Sequence, residues 1–164
     1  MPLTIDWTTE ASGEKSHISL PVFGAELSIA LVGDVIVDAS WQLSVENCKP
    51  LGLALQVQRY LLDPSLPLLV KCLTQGSGYS NRVWQRLLTI PMGQVVTYSA
   101  LALSMGTGAR AVAGACRNNP YAGLIPCHRV VGQSGIGGFM GQAKGEMVEL
   151  KRRILSCERE LVQN

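Results

Sequence analysis

The chain contains the stretch Leu124-Ile125-Pro126-Cys127-His128-Arg129-Val130-Val131, in which a cysteine and a histidine stand side by side within an apolar run. A thiol with a reference pKa of about 8.5 needs a base or a positive field to attack as a thiolate at neutral pH. His128 can supply that base to Cys127. Adjacent residues of an extended segment point to opposite sides, so we expect His128 to reach the sulfur through a water molecule or a turned backbone. Alternatively, Cys127 is a buried cysteine that packs as a small hydrophobe.

The composition is that of a folded protein with a substantial core. The 164 residues are 47% hydrophobic and 16% charged, which suits one domain or two small ones. No apolar run approaches the length of about 18 residues that a membrane span requires, and the first six residues lack the basic start and apolar stretch of a signal peptide. We therefore expect an intracellular protein with no membrane partner.

The cysteines do not form a recognisable metal or disulfide pattern. Their number is odd, none are spaced as CxxC, and only His17 and His128 are available as imidazole ligands. The sequence therefore predicts no zinc site and no disulfide framework, and we interpret His17 as an ordinary strand residue. The five cysteines are Cys48, Cys72, Cys116, Cys127 and Cys157.

Charge divides the chain into two halves. Residues 1–78 carry four basic and eight acidic side chains, a net charge of −4, whereas residues 79–164 carry ten basic and four acidic ones, a net charge of +6. Residues 79–145 contain no acidic side chain at all. We predict an amino-terminal domain over 1–78 and a second domain over 79–164 whose surface attracts anions such as a phosphate backbone.

The first half has the pattern of a small α/β unit. Apolar runs at 27–32 and 35–41 flank Gly33-Asp34, which predicts a hairpin with a type II′ turn. A third strand is expected over 17–22, a helix over 50–62 that opens with Pro50, and a strand or buried segment over 66–73. The glycines of residues 75–78 mark the joint between the halves.

The second half is mostly helical. Asn81 is placed to cap a helix that ends before Pro91, and residues 95–96 form a short strand. Thr97 caps a helix over 98–104 that Gly106 closes, and a further helix runs from Thr107 or Gly108 to residue 117. Two short helices around a glycine turn predict a helix-turn-helix.

One face of the later helix is smooth and basic at both ends. Arg110, Ala113, Gly114 and Arg117 follow i, i+3, i+4, i+7 spacing and share that face. Small residues allow close approach to DNA, and the arginines can contact phosphates or enter a groove. The alternative is a helix packed tightly on another helix through its alanines.

The last helix carries a carboxylate at the edge of its apolar stripe. Glu158 lies four residues after Ile154, so it is half turned toward the core and needs a partner. His128 would serve, giving a relay of Cys127, water, His128 and Glu158. Alternatively, Glu158 is a surface residue paired with Arg159 or Lys151. The stripe consists of Met147, Leu150, Ile154, Cys157 and Leu161.

These residues resemble the O6-alkylguanine-DNA alkyltransferases, a family of self-inactivating DNA repair proteins. The ordered set of motifs is highly specific, whereas the amino-terminal half matches the family's first domain only in size and strand order. The resemblance implies a small ribonuclease-H-like α/β domain, with a β-hairpin plus a helix, followed by a mostly α domain with a winged helix-turn-helix. The similarity covers roughly residues 80–160, through Val83-Trp84, Ile90-Pro91-Met92-Gly93, residues 97–102 and 109–112, Asn119-Pro120, residues 125–131, residues 150–155 and Glu158.

The resemblance also implies a reaction. Cys127 would take the alkyl group from guanine O6 as a stable thioether, with His128 and Glu158 generating the thiolate and with no cofactor or metal. Tyr98 would hydrogen-bond the departing guanine, and Asn119 would hold the turn before the cysteine segment. The expected substrate is double-stranded DNA that contains O6-alkylguanine or, to a lesser extent, O4-alkylthymine.

A stacked base hides its O6 substituent, so the resemblance implies base flipping, with Arg110 in the gap left in the duplex. The backbone carbonyls of Cys127 and Val130 would read the guanine amine. A monomer is expected, cytoplasmic and nucleoid-associated in a prokaryote or nuclear in a eukaryote. Other DNA or substrate contacts would come from Thr97, Ser99, Ala109, Ala113, Gly114, Arg117 and Met140.

The chain departs from the family pattern near the expected pocket. Where the family has a small hydroxyl residue after an aromatic, residues 139–142 are Phe-Met-Gly-Gln. We expect Met140 to narrow the pocket or to favour apolar adducts. The segment that follows is a few residues longer than usual, so Glu158 is assigned across a gap.

Two other classes of function are compatible with parts of the sequence. A damage reader or methylation-controlled DNA-binding protein would keep the helix-turn-helix, but relatives of that kind replace the cysteine. A cysteine hydrolase or acyltransferase would use a Cys-His-Glu set, but no glycine motif for an oxyanion hole is recognisable and the surface is basic. The substrate distinguishes the three.

Overall fold

The computed structural model describes residues 3–46 and 49–163, so Met1, Pro2 and Cys48 of the expectations above lie outside the described residues. Contacts divide the chain into two units, Met1–Gln75 with Pro120–Leu124, and Gly76–Asn119 with Ile125–Asn164. The predicted domains, 1–78 and 79–164, have one boundary, between residues 78 and 79. In the structure, by contrast, the segment Pro120–Leu124 groups with the first unit.

The first unit contains a five-stranded mixed sheet in the order β1-β5-β4-β3-β2. β5 is parallel to both of its neighbours, and β2, β3 and β4 are joined as antiparallel hairpins. Helix α1 buries Ala54, Val57 and Leu61 and contacts β2 and β5. In chain order the elements are β1 (Leu3–Thr8), β2 (Lys15–Val22), β3 (Ala25–Val32), β4 (Val35–Gln42), α1 (Gly52–Leu62) and β5 (Leu68–Leu73).

The predicted hairpin at Gly33-Asp34 is confirmed. Val32 pairs with Val35 across a two-residue turn. Gly33 has a φ of +62°, while Asp34 is outside the left-handed region, and this is the pattern that a type II′ turn requires. The turn sets the pairing of Leu31 with Ile36, and the register then shifts by one residue between Leu31 and Ala30.

Four other elements of the first unit differ from the prediction. Helix α1 begins at Gly52 rather than at Pro50, because Leu51 is extended. The strand predicted over 17–22 extends back to Lys15, and the one predicted over 66–73 begins at Leu68. Strand β1 was not predicted, since its partner in the sheet is β5, more than sixty residues away in sequence.

The second unit is mostly helical. It also contains a two-stranded parallel pair, in which Val96 is matched with Val130 and Thr97 with Val131. Within the described residues, no helix of either unit combines the length and apolar character needed to cross a bilayer. The elements are α2 (Gly78–Leu87), β6 (Val96–Thr97), α3 (Tyr98–Met105), α4 (Ala109–Arg117), a 3₁₀ turn (Cys127–Arg129), β7 (Val130–Val131) and α5 (Glu146–Gln163).

Helix caps in the second unit agree with the sequence in one case and not in another. The Thr97 hydroxyl accepts a hydrogen bond from the Ala100 N–H, and Gly106 ends α3 in the left-handed conformation, as predicted. The prediction that Asn81 caps α2 is wrong. Ser77 is the cap, accepting from the Ser80 N–H, and Asn81 lies inside the first turn.

Gly33→Ala tests the turn that joins β3 to β4. Gly33 and Gly52 both have a positive φ, but a Cβ at Gly33 would press on the Ser12 carbonyl oxygen, whereas at Gly52 no atom lies within 4 Å. A side chain in this conformation costs about 1–3 kcal/mol. We expect Gly33→Ala to lower the free energy of unfolding by more than Gly52→Ala does, measured by urea titration. Equal losses would contradict a specific steric role for Gly33.

Candidate functional site

Cys127 and His128 lie in a turned backbone, not in an extended segment. Residues Cys127–Arg129 form the 3₁₀ turn, in which the Arg129 N–H donates to the Pro126 carbonyl at 3.1 Å. The Cys127 N–H donates to the Ile125 carbonyl at 2.8 Å. The backbone is therefore turned and not extended, but neither ring nitrogen of His128 is hydrogen-bonded to the sulfur.

The Cys127 thiol is buried, with 4% of the residue exposed. Burial raises its pKa, and the hydrogen bond with Asn119 and the charge of Lys151 offset this only in part. Asn119 also donates from its side-chain amide to the Ile125 carbonyl at 2.9 Å. Asn119 thus holds the backbone that precedes the sulfur and contacts the sulfur itself, while the thiol needs a base to lose its proton.

The His128 ring is held by a buried carboxylate. His128 Nε2 lies 3.0 Å from Oε1 of Glu158, and both residues are 2% exposed. An ionised carboxylate only accepts hydrogen bonds, so Nε2 carries the proton of the neutral ring and Nδ1 keeps its lone pair. Nδ1 is buried and has no hydrogen-bond partner among the described residues. His128 can therefore accept a proton at Nδ1.

Arg129 keeps Glu158 ionised. Its Nε donates to Oε1 at 3.1 Å, its Nη2 donates to Oε2 at 2.6 Å, and its Nη1 donates to the Ile90 carbonyl at 2.7 Å. Burial alone would raise the pKa of Glu158, but the hydrogen bonds and charges of His128 and Arg129 outweigh it and lower the pKa to about 2. The alternative partners of Glu158, Arg159 and Lys151, form no ion pair with it, so that interpretation is wrong.

Helix α5 presents a different face from the one predicted. Met147, Cys157 and Leu161 are only half-buried. The covered face instead includes two charged side chains, at Lys151 and Glu158. The buried face differs from the predicted stripe because Lys151 and Glu158, although charged, are buried with Val148. The buried residues of α5 are Val148, Leu150, Lys151, Ile154 and Glu158.

Lys151 and Arg129 also belong to the site, although neither was predicted to do so from the sequence. Lys151 Nζ donates to the carbonyls of Ile136 and Gly138 at 2.8 and 2.9 Å and lies 5.6 Å from the centre of the Tyr98 ring. Burial lowers its pKa to about 8, although nearby Cys127 and Cys116 oppose the shift. Lys151 stands seven residues before Glu158, on the same helical face, and this spacing was the available signal.

A cavity of about 210 Å³ adjoins the Cys127 sulfur. Tyr98 lines it, its hydroxyl donates to the Gly138 carbonyl at 3.5 Å, and burial raises the pKa of that hydroxyl. The predicted residues Ala113, Arg117 and Met140 also line the cavity, whereas Thr97, Ser99, Ala109, Arg110, Gly114 and Val130 do not. The lining consists of Tyr98, Ala113, Cys116, Arg117, Cys127 and residues 138–143.

Helix α4 has one face in the core and one face open. Val112, Ala115 and Cys116 are buried, and Trp84 Nε1 donates to the Ala115 carbonyl at 2.8 Å. Arg110 and Arg117 are exposed, and a Cβ added to Gly114 would meet no atom within 4 Å. The predicted small-residue face is therefore not packed on another helix within the described residues, and that alternative is wrong.

The other predicted contact residues lie elsewhere in the second unit. Exposed Ser99 and half-buried Thr97 and Ala109 lie at the first turns of α3 and α4, and Val130 is buried in β7.

The chain is similar to known proteins. Residues 78–160 match the DNA-binding domain of 6-O-methylguanine DNA methyltransferase. A methylated-DNA–protein-cysteine methyltransferase of Archaeoglobus fulgidus is 35% identical over 106 residues, 64% of this chain and 72% of that protein. A probable enzyme of the same name from Acanthamoeba polyphaga mimivirus is 45% identical over 67 residues, 40% of this chain and 45% of that protein. This chain thus spans about half the length of some relatives that it matches.

The solved structures include an alkyltransferase bound to DNA. The structure of Mycobacterium tuberculosis OGT in complex with DNA aligns with a TM-score of 0.69 and 30% identity, covering 88% of this chain and 93% of that one. The amino-terminal mixed sheet and the helical carboxy-terminal part of this chain are consistent with that fold.

Glu158→Gln tests the ionised state of the buried carboxylate. The pKa of Glu158 falls from an ordinary 4.5 to about 2 in the folded chain. This shift contributes about 3 kcal/mol to the free energy of unfolding at any pH well above the pKa of the unfolded chain. This contribution is lost as the pH falls from 4.5 through 2. We expect the wild type to exceed the variant in free energy of unfolding at pH 7 and the gap to narrow toward pH 2, measured by urea titration.

The exposed pair of Glu149 and Arg152 supplies the control. These side chains are 3.6 Å apart and more than half exposed, so Glu149→Gln should change stability little at any pH. A gap between wild type and Glu158→Gln that stays constant from pH 7 to pH 3 would contradict an ionised, stabilising Glu158.

Proposed function

Because the chain belongs to the 6-O-methylguanine DNA methyltransferase family, we propose that it repairs DNA by transferring the alkyl group of O6-alkylguanine to Cys127. The Cys127 thiolate attacks the alkyl carbon, a carbon–sulfur bond forms, and the bond between that carbon and O6 breaks. The electron pair leaves with guanine, which regains a proton. The thioether is stable, so each molecule reacts once and needs no cofactor.

The observation that carries the proposal is the buried Cys127 beside its cavity, next in sequence to a histidine fixed by Glu158. His128 receives the thiol proton at Nδ1 through a water molecule, and the ionised Glu158 stabilises the imidazolium that results. Arg129 prevents the carboxylate from taking that proton itself. A thiol whose pKa is raised by burial is thereby ionised only when the histidine takes its proton.

Tyr98 and Asn119 assist from the two sides of the sulfur. Burial raises the pKa of the Tyr98 hydroxyl, so it stays neutral and can donate a hydrogen bond to the departing guanine. Asn119 holds the Ile125 carbonyl and thereby orients the cysteine turn. The carbonyls of Cys127 and Val130 bind the exocyclic amine of guanine.

A buried acceptor requires that the damaged base leave the duplex. The cavity holds the flipped guanine, and the open face of α4 approaches the DNA through Ala113 and Gly114. Exposed Arg110 fills the gap in the stack, while Arg117 contacts the DNA at the cavity rim. Thr97, Ser99 and Ala109, at the starts of α3 and α4, bind phosphates.

We also propose fold assignments for the two parts of the chain. α3 and α4 form the helix-turn-helix of a winged domain, and the amino-terminal sheet with α1 is ribonuclease-H-like. The protein acts as a monomer on double-stranded DNA with O6-alkylguanine, and to a lesser extent with O4-alkylthymine. The relative from M. tuberculosis was solved in complex with DNA, which supports DNA as the partner here.

Incubation with a duplex that contains O6-methylguanine should add one methyl group to Cys127, once per molecule. Intact mass followed by peptide mapping measures this, and Cys127→Ser should gain none. Cys116→Ser, a change of the other cysteine in the cavity wall, should leave the site of methylation at Cys127. Binding without a gain in mass would support a damage reader instead, and repeated turnover of an ester or amide would support a hydrolase.

Arg110→Ala should slow repair of duplex DNA far more than it slows reaction with free O6-benzylguanine, because only the duplex requires base flipping. The rates are compared by the alkylated fraction of Cys127 over time. Arg82→Ala removes an exposed arginine of α2 as a matched control and should not alter the ratio of the two rates. Equal losses on duplex and free base would remove the flipping role of Arg110.

A further inference from the structure

The cavity beside the acceptor contains a second cysteine that the proposed reaction does not use. Cys116 of α4 is 7% exposed and lines the same space of about 210 Å³ as Cys127. The other described cysteines, buried Cys72 of β5 and half-buried Cys157 of α5, do not line it. A free cysteine commonly packs as a small hydrophobe, but two thiols in the wall of one cavity are a pair of nucleophiles.

The two thiols belong to one cluster of interacting groups. The Asn119 N–H donates to the Cys116 carbonyl at 3.3 Å, and the Asn119 side chain hydrogen-bonds to the Cys127 thiol. A negative charge on Cys127 raises the pKa of Cys116, and the positive charge of Lys151 lowers the pKa of both thiols. Charges interact this way only at short range in a protein. The Cys116 sulfur therefore lies within electrostatic reach of the acceptor.

Burial keeps Cys116 out of the first alkyl transfer. It raises the pKa of the Cys116 thiol to about 12, and the charge of Cys127 adds to that effect. At neutral pH Cys116 is therefore a neutral thiol, and the alkyl group goes to Cys127, whose proton His128 takes. The balance changes once a cation forms at the Cys127 sulfur, because a nearby positive charge favours the thiolate of Cys116.

We infer that Cys116 is a second acceptor in this cavity, which reacts when the alkyl group delivered to Cys127 carries a leaving group on its second carbon. O6-(2-chloroethyl)guanine is a substrate of this class, and the product is an ethylene bridge between the two cysteines. The inference rests on the proposed function and extends it from simple alkyl groups to bifunctional ones.

The bridge forms in two substitutions after guanine has left. The sulfur of the chloroethyl thioether at Cys127 displaces chloride from the second carbon and becomes part of a three-membered episulfonium ring. The Cys116 sulfur then attacks a ring carbon, and the bond between that carbon and the Cys127 sulfur breaks with its electron pair returning to sulfur. The Cys116 proton passes to water. Hydrogen chloride is the net loss, and neither step needs an oxidant or a reductant.

Proximity decides which nucleophile captures the episulfonium ring. Cys116 is fixed in the cavity wall, whereas water and DNA bases must reach the ring by diffusion. A nucleophile held beside a reacting carbon has an effective concentration far above that of a dissolved one, and sulfur is intrinsically very nucleophilic. The bridge thereby consumes a reactive group that would otherwise join the protein to DNA.

The test uses a duplex with freshly prepared O6-(2-chloroethyl)guanine and, in parallel, a duplex with O6-methylguanine. Intact mass should show that the chloroethyl duplex adds one ethylene group in place of two thiol hydrogens. Trypsin cuts after each arginine, so Cys116 lies in peptide 111–117 and Cys127 in peptide 118–129, and the bridge should join these two peptides. We expect the bridged form to exceed the open hydroxyethyl form by about tenfold or more.

Cys116→Ser and Cys116→Ala should abolish the bridge and leave a hydroxyethyl group on Cys127, or a cross-link from Cys127 to DNA. Methyl transfer by the same variants, at whatever rate, shows that they fold. Cys157→Ser removes a cysteine outside the cavity wall and should keep the bridge.

Two results would contradict the inference in distinguishable ways. If the wild type accepts methyl but gives open adducts and DNA cross-links in the same proportion as Cys116→Ser, the inference is overturned and the proposed function stands. A wild type that gains no methyl from DNA would overturn both.

Discussion

The arrangement of the site depends on one interaction, the burial of the Glu158 carboxylate between His128 and Arg129. An ionised carboxylate is expensive to remove from water unless several donors face it. Here the two oxygens accept one hydrogen bond from imidazole and two from guanidinium. Because the carboxylate stays ionised, it fixes which imidazole nitrogen bears hydrogen, and it ties α5 to the turn that carries the sulfur.

The second constraint is the burial of the Cys127 thiol, which both shields the sulfur and keeps it protonated. A sulfur 4% exposed is shielded from bulk reagents, and its raised pKa keeps it protonated until a base acts. The buried Lys151 adds a positive charge near the sulfur and fastens the carbonyls of Ile136 and Gly138. One lysine thus influences both the electrostatics of the acceptor and the wall of its cavity.

Helix caps and turns that depend on neighbouring residues could be predicted from the sequence. Elements that depend on distant partners could not. The Thr97 cap, the Gly106 stop and the Gly33 turn each require only local chemistry, and the structure contains all three. Ser77 and Asn81 are both suitable caps, and sequence alone did not select between them. Strand β1 is defined by its distant partner β5, which no local pattern reveals. Lys151 shares a helical face with Glu158, but that spacing does not reveal the loop carbonyls that Lys151 binds. In the site, Cys127 and His128 could be predicted because they are adjacent, and Glu158 could be predicted from its helical spacing. The role of Arg129 could not, because it depends on contacts with Ile90 and Glu158.

The segment Pro120–Leu124 makes the first unit discontinuous in sequence. Within that unit Ala39 exchanges hydrogen bonds with Pro120 and Ala122, and the fully buried Tyr121 bonds to Leu73. The flanking residues Asn119 and Ile125 belong to the second unit and are bridged by the Asn119 amide. A fragment that ended at Gln75 would lack this five-residue segment, so Ala39 and Leu73 would lose the groups that they bind. The first unit is therefore complete only with residues that come more than forty positions later in the chain.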